Sequence, residues 1–191
     1  MVPDRRPADL HRGRLRARDR SARERPRPRR GRRAPPGRHH RRRVTVQIAI
    51  ETEIPATPTQ VWAAVEDLST HTEWMADAET ITFVTDQHSG VGTEFDCLTV
   101  VGPLRTTDRM RVTEWEPGAV MGIEHRGAVT GTGRFTLTAV PGGTRFAWAE
   151  ELRFPWWLGG PVGEVFGKPV LKLVWRRNLD RLRAHVLRTL A

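Results

Sequence analysis

The chain has 191 residues and a formal net charge of +10, but the charge is unevenly distributed. Residues 1–43 contain eighteen Arg and four acidic residues, whereas the remaining 148 residues contain 14 basic and 18 acidic side chains. The high pI therefore belongs to the N-terminal segment, and the rest is long enough to form one domain with a substantial core. A single cysteine excludes an internal disulfide and fits a reducing compartment. No 18-residue apolar run is present, so we expect a cytoplasmic protein without a transmembrane segment.

Residues 1–43 consist mainly of Arg, Pro, Ala, Gly and His, which cannot bury enough apolar surface to fold, so we predict a disordered segment. It could bind nucleic acid or an anionic surface, or it could be a solvated tail without a role. It could also be translated upstream sequence, with the natural start at Val44. We favour this last interpretation because Arg-rich sequence without Lys is what GC-rich DNA encodes in an arbitrary frame.

Residues 44–191 show the patterns of a folded domain. Apolar and polar residues alternate from Val44 to about Ile54, which predicts a strand. Thr57, Pro58 and Gln60 have the spacing of a helix capping box, and a second short turn or helix is predicted over residues 70–75. Turn signals then separate six strands, at about 81–85, 92–101, 104–115, 120–126, 132–140 and 144–154. Mostly short loops between them indicate an antiparallel sheet.

The C-terminal stretch predicts a long amphipathic helix over about residues 169–190. Its apolar positions recur at steps of three and four: Leu171, Trp175, Leu179, Leu182, Val186 and Leu190. Pro169 lies within the helical pattern, so we expect a bend or break there, after a short entry segment. The order β-α-α-β6-α predicts an α+β fold in which a seven-stranded curved antiparallel sheet surrounds this helix and leaves space between them.

Several segments resemble the polyketide cyclase/dehydrase family of the START-like, or SRPBCC, superfamily, which includes the birch-pollen-allergen fold. They are residues 54–62 (IPATPTQVW), the stretch from Asp67 to Trp74, and residues 90–93 (GVGT), 112–118 (VTEWEPG) and 142–145 (GGTR). The resemblance covers about residues 44–190 and implies a helix-grip fold around a ligand cavity. It implies no particular reaction, since members range from aromatase/cyclases to carriers of lipids, hormones and quinones.

Two kinds of function follow from the resemblance. The first is binding of a small hydrophobic ligand (aromatic, polyketide-like or lipid-like) in an internal cavity, with cyclase/dehydrase chemistry left open. The second is a non-catalytic interaction module, like the ribosome- or quinone-associated members. Nucleic-acid binding is expected only through residues 1–43, if at all, because the body is acidic and its aromatic residues have core-like spacing. We expect a monomer or homodimer, without a cofactor.

Strand alternation predicts which side chains face the cavity. The apolar candidates come from these strands, from the helices and from the run before the long helix. They are Trp74, Phe95, Cys97, Met110, Met121, Ile123, Phe135, Phe146, Trp148, Trp156, Val170 and Val174. We interpret Cys97 as a packed thiol, because its sequence neighbours offer no cation to stabilise a thiolate. The histidines have no metal-ligand spacing, so no metal site is expected. Trp156 and Trp157 could form a gate at the cavity mouth or simply plug the end of the sheet.

The polar candidates on the inward faces are Asp108, His125 and Glu150. A histidine that titrates near neutral pH suits a general base, with a buried carboxylate as the acid or orienting group. In the alternative, the two carboxylates pair with Arg109, Arg134 or Arg153 at a strand edge, and His125 lies at the surface. The two arrangements differ by a one-residue register shift, which moves every side chain of a strand to the opposite face of the sheet.

Overall fold

The computed structural model describes residues 43–155 and 160–191, and it describes side chains over residues 45–155 and 168–191. The strands are β1 (Arg43–Ile54), β2 (Ala78–Phe83), β3 (Glu94–Val101), β4 (Leu104–Glu116), β5 (Val120–Arg126), β6 (Thr130–Val140) and β7 (Gly143–Pro155). The helices are α1 (Pro58–Ala63), α2 (His71–Trp74), which follows a 3-10 turn at Leu68–Thr70, and α3 (Gly160–Thr189). The predicted order β-α-α-β6-α is confirmed.

All seven strands form one antiparallel sheet in the order β1-β7-β6-β5-β4-β3-β2. The first strand pairs with the last along its whole length, from Arg43 opposite Pro155 to Ile54 opposite Thr144. The register shifts within β2 and within β4, and such irregularities increase the local bend and twist of a sheet. The result is the curved sheet that the sequence predicts.

The capping box at α1 is present. The Thr57 side chain accepts a hydrogen bond from the Gln60 backbone N–H, and the Gln60 side chain accepts one from the Thr57 backbone N–H. These reciprocal bonds satisfy donors that a helix start otherwise leaves open, and they begin the helix at Pro58. Val61 and Trp62 of α1 are then buried in the core.

The outer face of the sheet carries ion pairs within and between its strands. Arg109 pairs with Asp96, Arg134 with Glu114, and Arg153 with Glu151. Each of these guanidinium groups is half exposed, so each pair contributes little stability, roughly 0–1 kcal/mol. The alternative in which the same arginines neutralise Asp108 and Glu150 is therefore wrong.

We expected a bend or a break at Pro169; helix α3 is continuous across that residue, so there is no break, and the bend stays a prediction. Its buried face consists of Trp175, Leu179, Leu182 and Val186, as the apolar spacing predicts, whereas Leu190 is exposed at the end of the helix. Within the described residues, none of the helices has the length and hydrophobicity needed to span a bilayer. The disordered segment predicted for residues 1–43 lies outside the described residues except for Arg43 in β1. Trp156 and Trp157, considered as a gate or a plug, also lie outside them. The domain boundary near Val44 stays a prediction.

A buried amide holds α3 over the sheet. Asn178 is fully buried; its Oδ1 accepts a hydrogen bond from the Ala76 backbone N–H at 2.9 Å, and its Nδ2 donates one to Asp77 Oδ1 at 2.6 Å. Ala76 and Asp77 lie in the short link between α2 and β2. Asn178 therefore joins the middle of the long helix to the segment where the small helices meet the sheet.

We predict that Asn178→Ala lowers the free energy of unfolding by about 3 kcal/mol, because it leaves two polar groups in this link without their partner. Urea denaturation at constant pH measures the change. The control is Arg177→Ala, which removes an exposed neighbour on the same helix and should change stability by less than about 0.5 kcal/mol. Equal stability of the two variants would contradict the role of Asn178.

Candidate ligand-binding cavity

A cavity lies within the curve of the sheet, with α2 and α3 also contributing to its wall. Its volume is about 120 Å³, counted as the space that the centre of a water molecule can reach. The wall is mostly apolar, and strands β3 to β7 contribute most of it. Several polar side chains point into this cavity beside its apolar surface.

The structure places seven of the twelve predicted apolar residues in the cavity wall: Phe95, Cys97, Met110, Met121, Ile123, Phe135 and Trp148. Four do not line it. Trp74 and Phe146 are fully buried in the core, Val174 packs against the core, and Val170 is 49% exposed on the outer side of α3. For Val170 the prediction misjudged the helix face, because Leu171 rather than Val170 reaches the cavity. Trp156 lies outside the described residues.

Glu150 of β7 enters the cavity wall as a buried carboxylate whose side chain is 4% exposed. Its Oε1 accepts a hydrogen bond from the Trp148 indole Nε1 at 2.8 Å. Gly133 lies opposite Glu150 on β6, and a Cβ there would be 2.5 Å from Oε1. The glycine thus provides the space in which the carboxylate group lies, and the indole N–H fixes its position.

His125 of β5 faces this carboxylate. Its Nε2 lies 3.3 Å from Glu150 Oε2, and the His125 side chain is 10% exposed, so the prediction of an inward His125 rather than a surface one agrees with its position. The geometry of this contact is not that of a hydrogen bond, and neither atom has another hydrogen-bond partner among the described residues. Buried polar atoms without partners are uncommon in proteins and mark places where a further group can bind.

Asp108 of β4 is also buried and lines the cavity, but its bonds are internal. Its Oδ1 accepts a hydrogen bond from the Val129 backbone N–H at 3.1 Å, and its Oδ2 accepts one from Thr106 Oγ1 at 3.2 Å. The carboxylate lies against Gly127, where a side chain would collide with it. Asp108 therefore holds the β5–β6 connection, unlike Glu150, which keeps one oxygen free.

His71 and Asp77 are among the polar residues of the wall that were not predicted. His71 is the first residue of α2, a helix of four residues, and Asp77 lies in the link that follows. Neither segment is long enough to show a periodic pattern, so facing could not be inferred. Their position in the sequence could have indicated them, because both lie close to Trp74, the last residue of the segment from Asp67 to Trp74 that resembles the family.

His71 is held as a neutral imidazole. Its Nε2 lies 2.7 Å from the Val65 carbonyl oxygen, and the ring packs on Trp74 with centroids 4.9 Å apart. Burial lowers the pKa of His71 from its ordinary value of 6.5 to about 4, because the charged form loses its hydration. The imidazole is uncharged at neutral pH.

Burial also affects two other groups in the wall. It raises the pKa of the Asp77 carboxyl above its ordinary value, despite the hydrogen bond from Asn178, which favours the ionised form. It raises the pKa of the Cys97 thiol to about 11, so the thiol stays protonated at neutral pH. Among the described side chains, no group of three His, Cys, Asp or Glu residues is placed to hold a metal ion.

Comparison with solved structures places this architecture among helix-grip proteins. The protein TTHA0849 of Thermus thermophilus is 17% identical, with a TM-score of 0.68 over 76% of this chain and 100% of that chain. The ZhuI aromatase/cyclase of Streptomyces sp. R1128 is 13% identical, with a TM-score of 0.62 over 78% and 97%. Norcoclaurine synthase of Thalictrum flavum, solved with dopamine and hydroxybenzaldehyde, is 16% identical, with a TM-score of 0.57 over 76% and 88%. At these identities the likeness establishes the fold.

The family follows from the sequence. Residues 41–187 match the family model described as polyketide cyclase/dehydrase and lipid transport, and the chain belongs to that family. The resemblance inferred from the short segments is thereby confirmed. Among curated proteins, none matches this sequence.

We predict that His71 makes stability depend on pH. Since its pKa is about 4 in the folded protein and 6.5 is its ordinary value, the unfolded chain takes up the proton first as the pH falls. Its contribution is fully present above pH 6.5 and is lost towards pH 4, amounting to about 3 kcal/mol. The measurement is the free energy of unfolding of wild type minus that of His71→Phe, at pH 7 and pH 4.

Both proteins have the same carboxylates, so their contribution to the pH dependence cancels when the free energy of unfolding of His71→Phe is subtracted from that of the wild type. A matched control is His88→Phe, because His88 is exposed and stacks on Phe83 at 4.1 Å. That variant should keep the pH dependence of the wild type. A difference between wild type and His71→Phe that stays constant from pH 7 to pH 4 would show that burial does not keep His71 neutral.

Proposed function

We propose that the protein binds a small, mainly apolar molecule with a single aromatic ring in the cavity between the sheet and the helices. The observation that carries the proposal is the apolar cavity with His125 Nε2 and Glu150 Oε2 at its wall, 3.3 Å apart and each without a hydrogen bond. Binding sites for small molecules commonly combine an apolar wall with a few placed polar groups. Membership of a family of cyclases, dehydrases and lipid transport proteins supports the same kind of function.

The cavity volume bounds the size of the guest. An apolar cavity of roughly 150 Å³ accommodates one benzene ring, and the present cavity measures about 120 Å³. A longer lipid or polyketide chain would require side chains or α3 to move. Norcoclaurine synthase, a distant structural relative, was solved with two single-ring molecules, dopamine and hydroxybenzaldehyde. That complex supports a guest of this size.

Proton transfer is a second candidate function, favoured by the arrangement of His125 and Glu150. The two groups lie 3.3 Å apart, are almost fully buried and border the cavity, so a guest next to them would contact both. An imidazole and a carboxylate in contact form a general acid–base pair, which could remove a proton next to a carbonyl group. Enolisation of that kind begins aldol cyclisation and dehydration, and this is the cyclase/dehydrase chemistry that we propose.

Filling the cavity should abolish binding. Thr99 of β3 lines the cavity, and Thr113 of β4 is exposed on the outer face. We predict that Thr99→Phe weakens the binding of 4-methylphenol more than tenfold, because the added ring occupies the space of the guest. The matched variant Thr113→Phe should bind within twofold of the wild type. NMR titration of the labelled protein measures both; binding unchanged in Thr99→Phe would contradict the cavity as the binding site.

The proton-transfer role can be tested with acetophenone in heavy water. We predict that the wild type accelerates exchange of the methyl protons next to the carbonyl, and that Glu150→Gln loses at least about a hundredfold of this acceleration. The control is Glu151→Gln, which alters a carboxylate on the outer face that bonds Gln47 and Arg153. Exchange is followed by proton NMR. A wild type that binds acetophenone without accelerating exchange would remove the proton-transfer role and leave the binding function.

A further inference from the structure

The cavity wall is rich in hydrogen-bond acceptors, and this restricts the guest further; the inference rests on the proposed binding function. Carboxylates of Asp77, Asp108 and Glu150 line the cavity. Arg134 also belongs to the lining residues, but its guanidinium group donates to Glu114 and Thr136 instead. A guest that brings a hydrogen-bond donor therefore fits this wall better than one that brings only acceptors.

Most of these acceptors are already engaged. Both oxygens of Asp108 accept hydrogen bonds from the protein, Asp77 Oδ1 accepts one from Asn178, and Glu150 Oε1 accepts one from Trp148. Glu150 Oε2 faces His125. A different acceptor, the second ring nitrogen of His71, is free.

The tautomer of His71 follows from its contact with Val65. A carbonyl oxygen can only accept, so the 2.7 Å contact requires the proton on Nε2, and in the neutral ring Nδ1 is then a lone-pair acceptor. None of the hydrogen bonds among the described residues involves Nδ1. Trp74 and Phe135 pack against the imidazole with centroid separations of 4.9 and 6.2 Å, which fixes the ring orientation.

We propose that His71 is a specificity-determining residue whose Nδ1 accepts a hydrogen bond from a hydroxyl group on the ring of the guest. The substrate class is therefore hydroxylated aromatic molecules. The aromatic side chains that hold His71 also provide the apolar surface on which the rest of the ring packs. A neutral hydroxyl enters this wall without the large cost of dehydrating an ammonium group, so a phenol is favoured over an amine.

Four single-ring probes test the proposal by NMR titration: 4-methylphenol, 4-methylanisole, toluene and 4-methylbenzylamine. The wild type should bind 4-methylphenol about tenfold more tightly than 4-methylanisole, the size of effect expected from one buried hydrogen bond. His71→Phe keeps an aromatic ring but lacks the acceptor, so it should bind the phenol and the anisole equally. The matched control His88→Phe, altered at an exposed histidine, should keep the wild-type preference.

A second measurement needs no variant. In protein labelled with nitrogen-15 at histidine, the Nδ1 resonance of His71 should shift when 4-methylphenol is added and stay in place with toluene. This readout reports the hydrogen bond directly, even if His71→Phe folds poorly.

The outcomes separate this inference from the binding function. Toluene and 4-methylphenol binding with equal affinity to the wild type would overturn the role of His71 and leave the cavity as a binding site. A preference for 4-methylbenzylamine that His71→Phe retains would also overturn it, since the carboxylates would then select the guest. If none of the four probes binds, the proposed binding function fails, and the inference fails with it.

Discussion

The hydrogen bonds made by Asn178 are the constraint on which the interior depends. A long helix over a curved sheet could slide or collapse inwards, because apolar packing is non-directional. The buried amide removes that freedom, since it must meet the Ala76 N–H and the Asp77 carboxyl together. Next to it, Trp175 of α3 stacks on Trp148 of β7 with centroids 5.2 Å apart. The hydrogen bonds of Asn178 fix where the helix lies along the sheet, and the stacking of Trp175 on Trp148 fixes the distance between the helix and the sheet.

The same arrangement explains how the interior tolerates so many polar groups. Unpaired buried carboxylates are costly, and here each of the three has at least one hydrogen bond from the protein. Trp148 serves two purposes, because its ring packs on α3 while its N–H holds Glu150. The groups left over are His125 Nε2, Glu150 Oε2, the Nδ1 of His71, and Trp74 Nε1. Three of these atoms belong to residues that line the cavity, and the fourth belongs to a residue of the packed core.

Much of this could be predicted from the sequence, and the failures have physical causes. Burial alternates with a period of two along β7 and from Leu104 to Val112 of β4, so the inward positions of Glu150 and Asp108 follow from the sequence pattern. Strand β5 shows no such alternation, although His125 does lie in the cavity wall. Whether these residues act on a guest is not settled by facing, and their roles stay predictions. His71 was missed because α2 is too short to have a pattern.

Errors on the long helix have a different origin. Asn178 lies at a fully buried position within the apolar stripe, and a lone polar residue there is itself a signal of a specific contact, although its partner at Ala76 is 102 positions away. Val170 was misplaced because the helical period near Pro169 gives two neighbouring aliphatic residues, of which only Leu171 turns inwards. Burial along a helix depends on how far the sheet extends beneath it, and sequence periodicity carries no information on that distance.

The only cysteine has a consequence for the kinds of molecule that can reside here. Cys97 lines the cavity with its thiol protonated, because burial and the nearby carboxylates of Asp77 and Asp108 all oppose the thiolate. Quinones and enones form adducts with thiolates and react slowly with thiols. An electrophilic compound that entered the cavity would therefore react only slowly with this sulfur at neutral pH.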